Sequence, residues 1–301
     1  MPSKLNLMST YVLLIIIWAT TPLAIVWSVE DINLYWALAL RFFLALPLAG
    51  VLLLLMRQAL PYDARSIHSY IAGSCSFIGS QIFTYMATSY LSSGIIALMF
   101  GLAPIITGLI GHFVFRMHLH RLQWFGMCIA VCGLGIICMG GSGQHVQPIG
   151  ILLMLMSVLI YCASIFWVKK VNAPLNPIAQ ATGSILISSL IALCMVPFIW
   201  ADFPTQMPST KSVLALLYAV IMASLIAMFC YFKLVQNIKA TTLSLTTVMT
   251  PMLAIVVGAV FNHEKLTLLV LCGTAVLLFG LCVYFYKDFR ANRTLAHNLK
   301  K

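Results

Sequence analysis

Acidic residues are what this chain has least of: six aspartates and glutamates among 301 residues, with only 8% charged residues in all. Soluble domains carry about 25% charged residues, so water is excluded as the solvent for most of this chain. No G-x-x-x-x-G-K-[ST] phosphate cradle occurs, which excludes a P-loop ATPase. The nine cysteines lie in apolar stretches, which argues against a disulfide framework or an exposed zinc loop. The longest run between apolar segments, 201–211, holds Asp202, Pro204 and Pro208 and leaves no room for a soluble domain. The net charge of +11 is spread over many connections, so no basic face for nucleic acid is present.

What is there is apolar sequence, 62% of the chain. A membrane-spanning helix needs roughly 20 mainly apolar residues, and irregular backbone cannot face lipid. Such segments fall near 8–27, 34–56, 69–88, 92–115, 124–140, 149–168, 178–200, 212–232, 241–261 and 266–286. The expectation is an all-α membrane protein of ten transmembrane helices, its first segment retained because no small-residue cleavage site follows it. Lysine and arginine mark the cytoplasmic side. With the N-terminus inside, fourteen of the seventeen basic residues fall there, including Arg57, Arg65, Arg116, Lys169 and the tail at 287–301. Glu30, Asp31, Asp202 and Glu264 fall outside. Both termini are then cytoplasmic, in a multi-pass protein of the cell (inner) membrane.

The chain also repeats itself. Pro104, Gly111, Gly126 and Gly133-Leu134 recur as Pro251, Gly258, Gly273 and Gly280-Leu281, every member displaced by 147 residues (251 − 104). Such a period is read before any local motif. Five helices per copy is an odd number, so the second copy enters the membrane from the opposite side. Two inverted five-helix repeats, 8–140 and 149–286, are an architecture of carriers that open a midplane site alternately to either face.

At this point the residues resemble a known family. Trp18-Ala19-Thr20-Thr21-Pro22, Arg41-Phe42-Phe43, Leu91-Ser92-Ser93-Gly94 running to Pro104, Leu122-Gln123-Trp124-Phe125-Gly126, and Glu264-Lys265-Leu266-Thr267 followed by Gly273 are similar to the drug/metabolite transporter superfamily, in particular its duplicated EamA-type members. The resemblance runs from about Tyr11 to Tyr286. It implies a central cavity lined by the first four helices of each half, with the fifth of each peripheral. It does not imply one substrate. The family's glutamate after the fourth helix is kept as Glu264, whereas the first half has Met117. Glu264 reads as structural, holding a helix end or pairing with Lys265.

Polar and aromatic side chains inside a bilayer usually face a bundle interior or a water-filled path. Gln81 and Tyr85, four apart on the third segment, share a face. Trp18 beside Pro22 and Tyr161 with Trp167 on the sixth segment are aromatic candidates for substrate contact. Tyr231 on the eighth and Thr250 before Pro251 on the ninth complete the polar set, although interfacial anchoring and backbone bonding compete for each. Arg41 either reaches outward to Glu30 or Asp31 or meets a substrate anion. The glycines of the repeat read as packing residues.

These residues indicate a secondary transporter exporting or exchanging a small polar or amphipathic, amino-acid-like metabolite, with the lipid bilayer and that substrate as partners. It would use no cofactor, metal or catalytic group, and it is compatible with a monomer. A membrane-embedded enzyme using His112, His118 and His120 of the cytoplasmic loop is the competing class, and a channel is a third. Topology is tested by single cysteines in a cysteine-free background. An impermeant thiol reagent should label Ser142→Cys and Asp202→Cys from one side and Arg57→Cys and Lys169→Cys from the other; same-side labelling of positions 142 and 57 would sink the inverted repeat.

Overall fold

The computed structural model describes residues 4–139, 146–237, 246–264 and 267–298. The helices in order are α1 (Lys4–Ser28), α2 (Leu34–Leu55), α3 (Ala64–Ser74), α4 (Ser80–Ala87), α5 (Ser93–Phe100), α6 (Ala103–Phe115), α7 (Arg121–Met139) and α8 (Pro148–Val171). They continue as α9 (Pro177–Ile199), α10 (Thr210–Tyr218), α11 (Ala227–Asn237), α12 (Thr246–Phe261) and α13 (Leu268–Asn298). No strand occurs among the described residues. Eight stretches are long and apolar enough to cross a membrane, and Met249–Phe261 is a shorter apolar helix. The segment at 64–87 is helical but is not among the eight, because Ser66, Ser69, Ser74, Ser76 and Ser80 make it too polar. α13 runs on as helix to Asn298, through much of the basic tail. Ser142 and Lys265 lie outside the described residues.

Helix starts follow local chemistry. Asn33, Asp63, Asn176 and Ser209 accept side-chain capping bonds from the backbone N–H groups of Tyr35, Ser66, Ile178 and Ser212. Two helices are interrupted by π-helical turns: Cys75–Gly79 joins α3 to α4, and Ala219–Ile226 joins α10 to α11. Subtracting the 147-residue offset carries 219–226 onto 72–79, over the first π turn. Arg116 (φ 54°) and His263 (φ 50°) also stand 147 apart, and both adopt the left-handed backbone. After them the N–H of Met117 returns to the carbonyl of Gly111, and that of Glu264 to Gly258. Irregular backbone thus recurs in the register of the glycines and prolines.

The tightest helix pair is α7 against α13, running antiparallel. A Cβ at Gly126 would lie 2.7 Å from the Gly280 carbonyl oxygen, and one at Gly133 would lie 2.7 Å from that of Gly273. In the reverse direction a Cβ at Gly273 would meet the Gly133 oxygen at 2.8 Å. Lipid supplies no hydrophobic drive between helices, so backbone approach through small residues does the work. A methyl here meets backbone, which cannot swing aside. Gly133→Ala should therefore lower stability on the order of 1–3 kcal/mol. Gly135, with open space around its Cβ direction, should accept alanine without loss. Thermal unfolding of the two variants checks this, and equal midpoints would contradict the seam.

Candidate functional site

One end of the bundle is closed by polar ties. The Glu264 carboxylate accepts bonds from the N–H (2.9 Å) and hydroxyl (2.6 Å) of Ser93 and from the N–H of Gly94 (3.3 Å), seated on the N-terminus of α5. This end of a helix is electropositive. Asn262 donates to the same carboxylate at 3.1 Å and accepts from the Trp27 indole at 2.9 Å. Gly258 leaves the room that the carboxylate occupies. Asp31 is held on the start of α10 by Ser209 and by Ser212 (2.9 Å), and these bonds keep its carboxyl below the usual aspartate range. Beside it Lys211 pairs with Glu30 at 2.6 Å. Over the same end Trp200 and Phe203 stack and Trp36 meets both edge-on, its indole donating to the Ile199 carbonyl at 2.7 Å.

This tied end still carries a surface depression of about 370 Å³ against Glu30, Asp31, Asn33, Thr88 and Ser89. At the other end a cleft of about 240 Å³ lies between α2, α9 and the interrupted helix α10–α11, from Met56, Asn176 and Lys233 at its mouth to Ala49, Ile185 and Ser224. Ser224 stands nine residues before Lys233, about 13 Å deeper at 1.5 Å per residue. Its hydroxyl donates to the Ala219 carbonyl at 3.0 Å, a bond across five residues made within the π turn. The same oxygen accepts Nε–H of Arg41 at 3.2 Å, and Nη1 of Arg41 donates to the Gln81 side-chain oxygen at 3.2 Å. Arg41 is 7% exposed and is the only charged side chain among the buried described residues. It turns toward Ser224 and Gln81, not toward Glu30 or Asp31. Tyr85, one turn beyond Gln81, is fully buried among Trp36, Phe42 and Ile78, and its hydroxyl has no hydrogen-bond partner among the described residues.

A second cluster is aromatic. The rings of Trp18 and Tyr231 stand 5.5 Å apart, and Tyr161 packs edge-on to Phe100 at 6.2 Å. Ser224 and Tyr231 are seven residues apart on the interrupted helix, the former against Arg41 and the latter against Trp18. Trp167 is 44% exposed, away from either cluster. The Thr250 hydroxyl is buried without a partner. His112 bonds the Met117 carbonyl at 2.8 Å, and no group of three metal-ligating side chains occurs among the described residues.

The model of the EamA-like transporter family matches the chain twice, over residues 7–139 and 148–286. The chain belongs to the EamA-like transporter family. This family is part of the drug/metabolite transporter superfamily. An uncharacterized transporter of Buchnera aphidicola subsp. Schizaphis graminum is 26% identical over 297 residues, 95% of this chain and 97% of that protein. An uncharacterized inner membrane transporter of Escherichia coli K12 is 24% identical over 268 residues, covering 89% and 86%. A protein of Salmonella typhimurium named "probable amino-acid metabolite efflux pump" is 24% identical over 228 residues, covering 72% and 75%. A solved crystal structure shares the fold at a TM-score of 0.67 and 17% identity, covering 96% of this chain and 99% of that one.

In this EamA-like chain the residues singled out from sequence fall into the two clusters, apart from Trp167 and Thr250. Ser224 is one that sequence reasoning missed. The 147-residue register gave no signal for it, since it carries Ser224 onto Phe77 (224 − 147 = 77). Ser157 was missed as well: it joins α8 to α4 through Ser80 (2.9 Å) and Thr84 (2.8 Å). A buried hydroxyl without a partner costs roughly 1–3 kcal/mol. Tyr85→Phe should therefore unfold at the same or a higher temperature than the parent chain. A fall equivalent to more than about 1 kcal/mol would mean that the hydroxyl has a partner.

Proposed function

We propose that the chain is a secondary carrier that moves a small polar or amphipathic, amino-acid-like metabolite by alternating access between two inverted five-helix repeats, 8–140 and 149–286. The observation that carries this reading is the glycine seam. Under the 147-residue offset the pair Gly126 and Gly280 becomes Gly273 and Gly133, so the contact maps onto itself. Antiparallel helices related by a two-fold axis across them have that property, and the recurring π turns and left-handed residues support the same axis. Eight long apolar helices, the serine-rich α3–α4 and the short α12 make up ten crossings.

Basic residues then put both termini on the cytoplasmic face of the inner membrane. The end tied by Glu264, Asp31 and Lys211 faces outward and the cleft faces inward, an arrangement from which an exporter loads. Trp18, Tyr161 and Tyr231 form an aromatic wall and Arg41, Gln81 and Tyr85 a polar one, with Thr250 nearby in the second half; Trp167 stays at the periphery. The name of the Salmonella relative supports an amino-acid-like cargo.

None of the acidic residues falls within a crossing, so coupling to a proton held by a buried carboxylate is not part of this reading. Proteoliposomes preloaded with a pooled amino-acid library should release at least one member in a protein-dependent way. That flux should persist when a protonophore collapses the pH gradient at fixed membrane potential. Trp18→Ala and Gln81→Ala should each slow it several-fold at unchanged yield of folded protein. No protein-dependent flux of any pool member would defeat the carrier reading, and abolition by the protonophore would defeat the uncoupled one.

A further inference from the structure

A guanidinium has five N–H donors and a charge that it never gives up. In Arg41 two of the nitrogens are engaged, both by neutral oxygens, those of Ser224 and Gln81. No carboxylate pairs with it among the described residues. Glu30 holds Lys211, Asp31 holds Ser209 and Ser212, Asp63 holds the start of α3, and Glu264 holds the start of α5. A charge at 7% exposure with only neutral partners is costly in a bilayer. Independently, the Tyr85 hydroxyl one turn from Gln81 is fully buried and unpartnered. The cleft, moreover, ends at the serine that Arg41 holds.

We propose that Arg41, with Gln81, Ser224 and Tyr85, is the anchor for a substrate carboxylate, and that the apolar remainder of that substrate lies along Trp18 and Tyr231. The term substrate rests on the carrier reading above; the anchor itself is a binding site. One positive charge matches a monoanion. A phosphate dianion would call for a second cation, and no other charged side chain is buried among the described residues. Three of the five guanidinium N–H groups are left by Ser224 and Gln81, and charged donors of this kind suit the oxygens of a carboxylate. Ser224, which Arg41 holds, and Tyr231, which meets Trp18, stand seven residues apart on the interrupted helix, roughly 10 Å at 1.5 Å per residue, a length that an amphipathic molecule spans from charge to aromatic ring. The ligand class is therefore an amphipathic monocarboxylate.

The test is equilibrium binding to the purified full-length chain in lipid nanodiscs. The probes are the aromatic and branched-chain amino acids and their 2-oxo acids, each beside its own carboxamide, together with inorganic phosphate. At least one carboxylate should bind about tenfold or more tightly than its amide, the factor expected of a charge-assisted bond. Arg41→Gln should abolish that preference, and Arg41→Lys, which keeps the charge and loses the fork, should retain part of it. Without ligand, Arg41→Gln should melt no lower than the parent chain, because the charge removed had no counter-ion. The anchor is overturned if no carboxylate is preferred to its amide, if phosphate binds as tightly as the best carboxylate, if Arg41→Gln keeps the preference, or if its ligand-free form melts lower. Should Arg41→Gln fail to fold, Arg41→Lys decides, a weakened preference supporting the anchor and an unchanged one overturning it. A carboxylate preference in a chain that moves nothing across proteoliposomes would leave the anchor standing and remove only the carrier reading.

Discussion

Inside a bilayer no water stands ready to satisfy a stray polar group, so each one must find its partner in the protein. Most of the structure follows from that constraint. The backbone closes on itself as helix, and serines and threonines bond a carbonyl one turn back, as Thr20, Thr21 and Ser188 do. Carboxylates are kept to the ends, where Glu264 and Asp31 neutralise the positive N-termini of α5 and α10. The π turn at 219–226 lets the Ser224 hydroxyl reach a carbonyl five residues back while it still accepts from Arg41. The accounting does not close at Arg41, whose partners are polar but neutral, or at the hydroxyls of Tyr85, Thr250 and Thr274, which have none among the described residues.

The two halves are joined by different means at different depths. At the periphery the α7–α13 seam is backbone against backbone, so its geometry is rigid. At the sealed end the ties are hydrogen bonds and one ion pair, which can break and re-form at small cost. Asp31 and Glu30 reach from the first half to α10, while Glu264 reaches from the second half to α5. The seam is thus fixed by backbone contact, while the end contacts are side-chain bonds.

The sequence made the helices, their register and the glycine seam legible, because small residues, prolines and basic loops leave local marks. Gly126, Gly133, Gly273 and Gly280, read as packing residues, do pack. Glu264 reads as a helix-end residue, and it holds one, yet which helix it holds could not be read because Ser93 lies 171 residues away. The third segment, read as one crossing with Gln81 and Tyr85 on a shared face, is interrupted by the turn at Cys75–Gly79, since π turns carry no sequence signature comparable to proline. Arg41 was visible as an oddity in an apolar run. Its partners were not, because Ser224 looks like any serine in a membrane helix until the fold brings it to the guanidinium.

The reach of Glu264 also has a consequence during synthesis. The start of α5 emerges from the ribosome early, but the carboxylate that caps it is made 171 residues later. At roughly 5–20 residues per second that interval is on the order of 10–30 s. Over that interval the N–H groups of Ser93 and Gly94 lack the carboxylate that answers them in the folded chain. The first half cannot complete its own helix cap before the second half has been made. Assembly of this protein is finished from its C-terminal side.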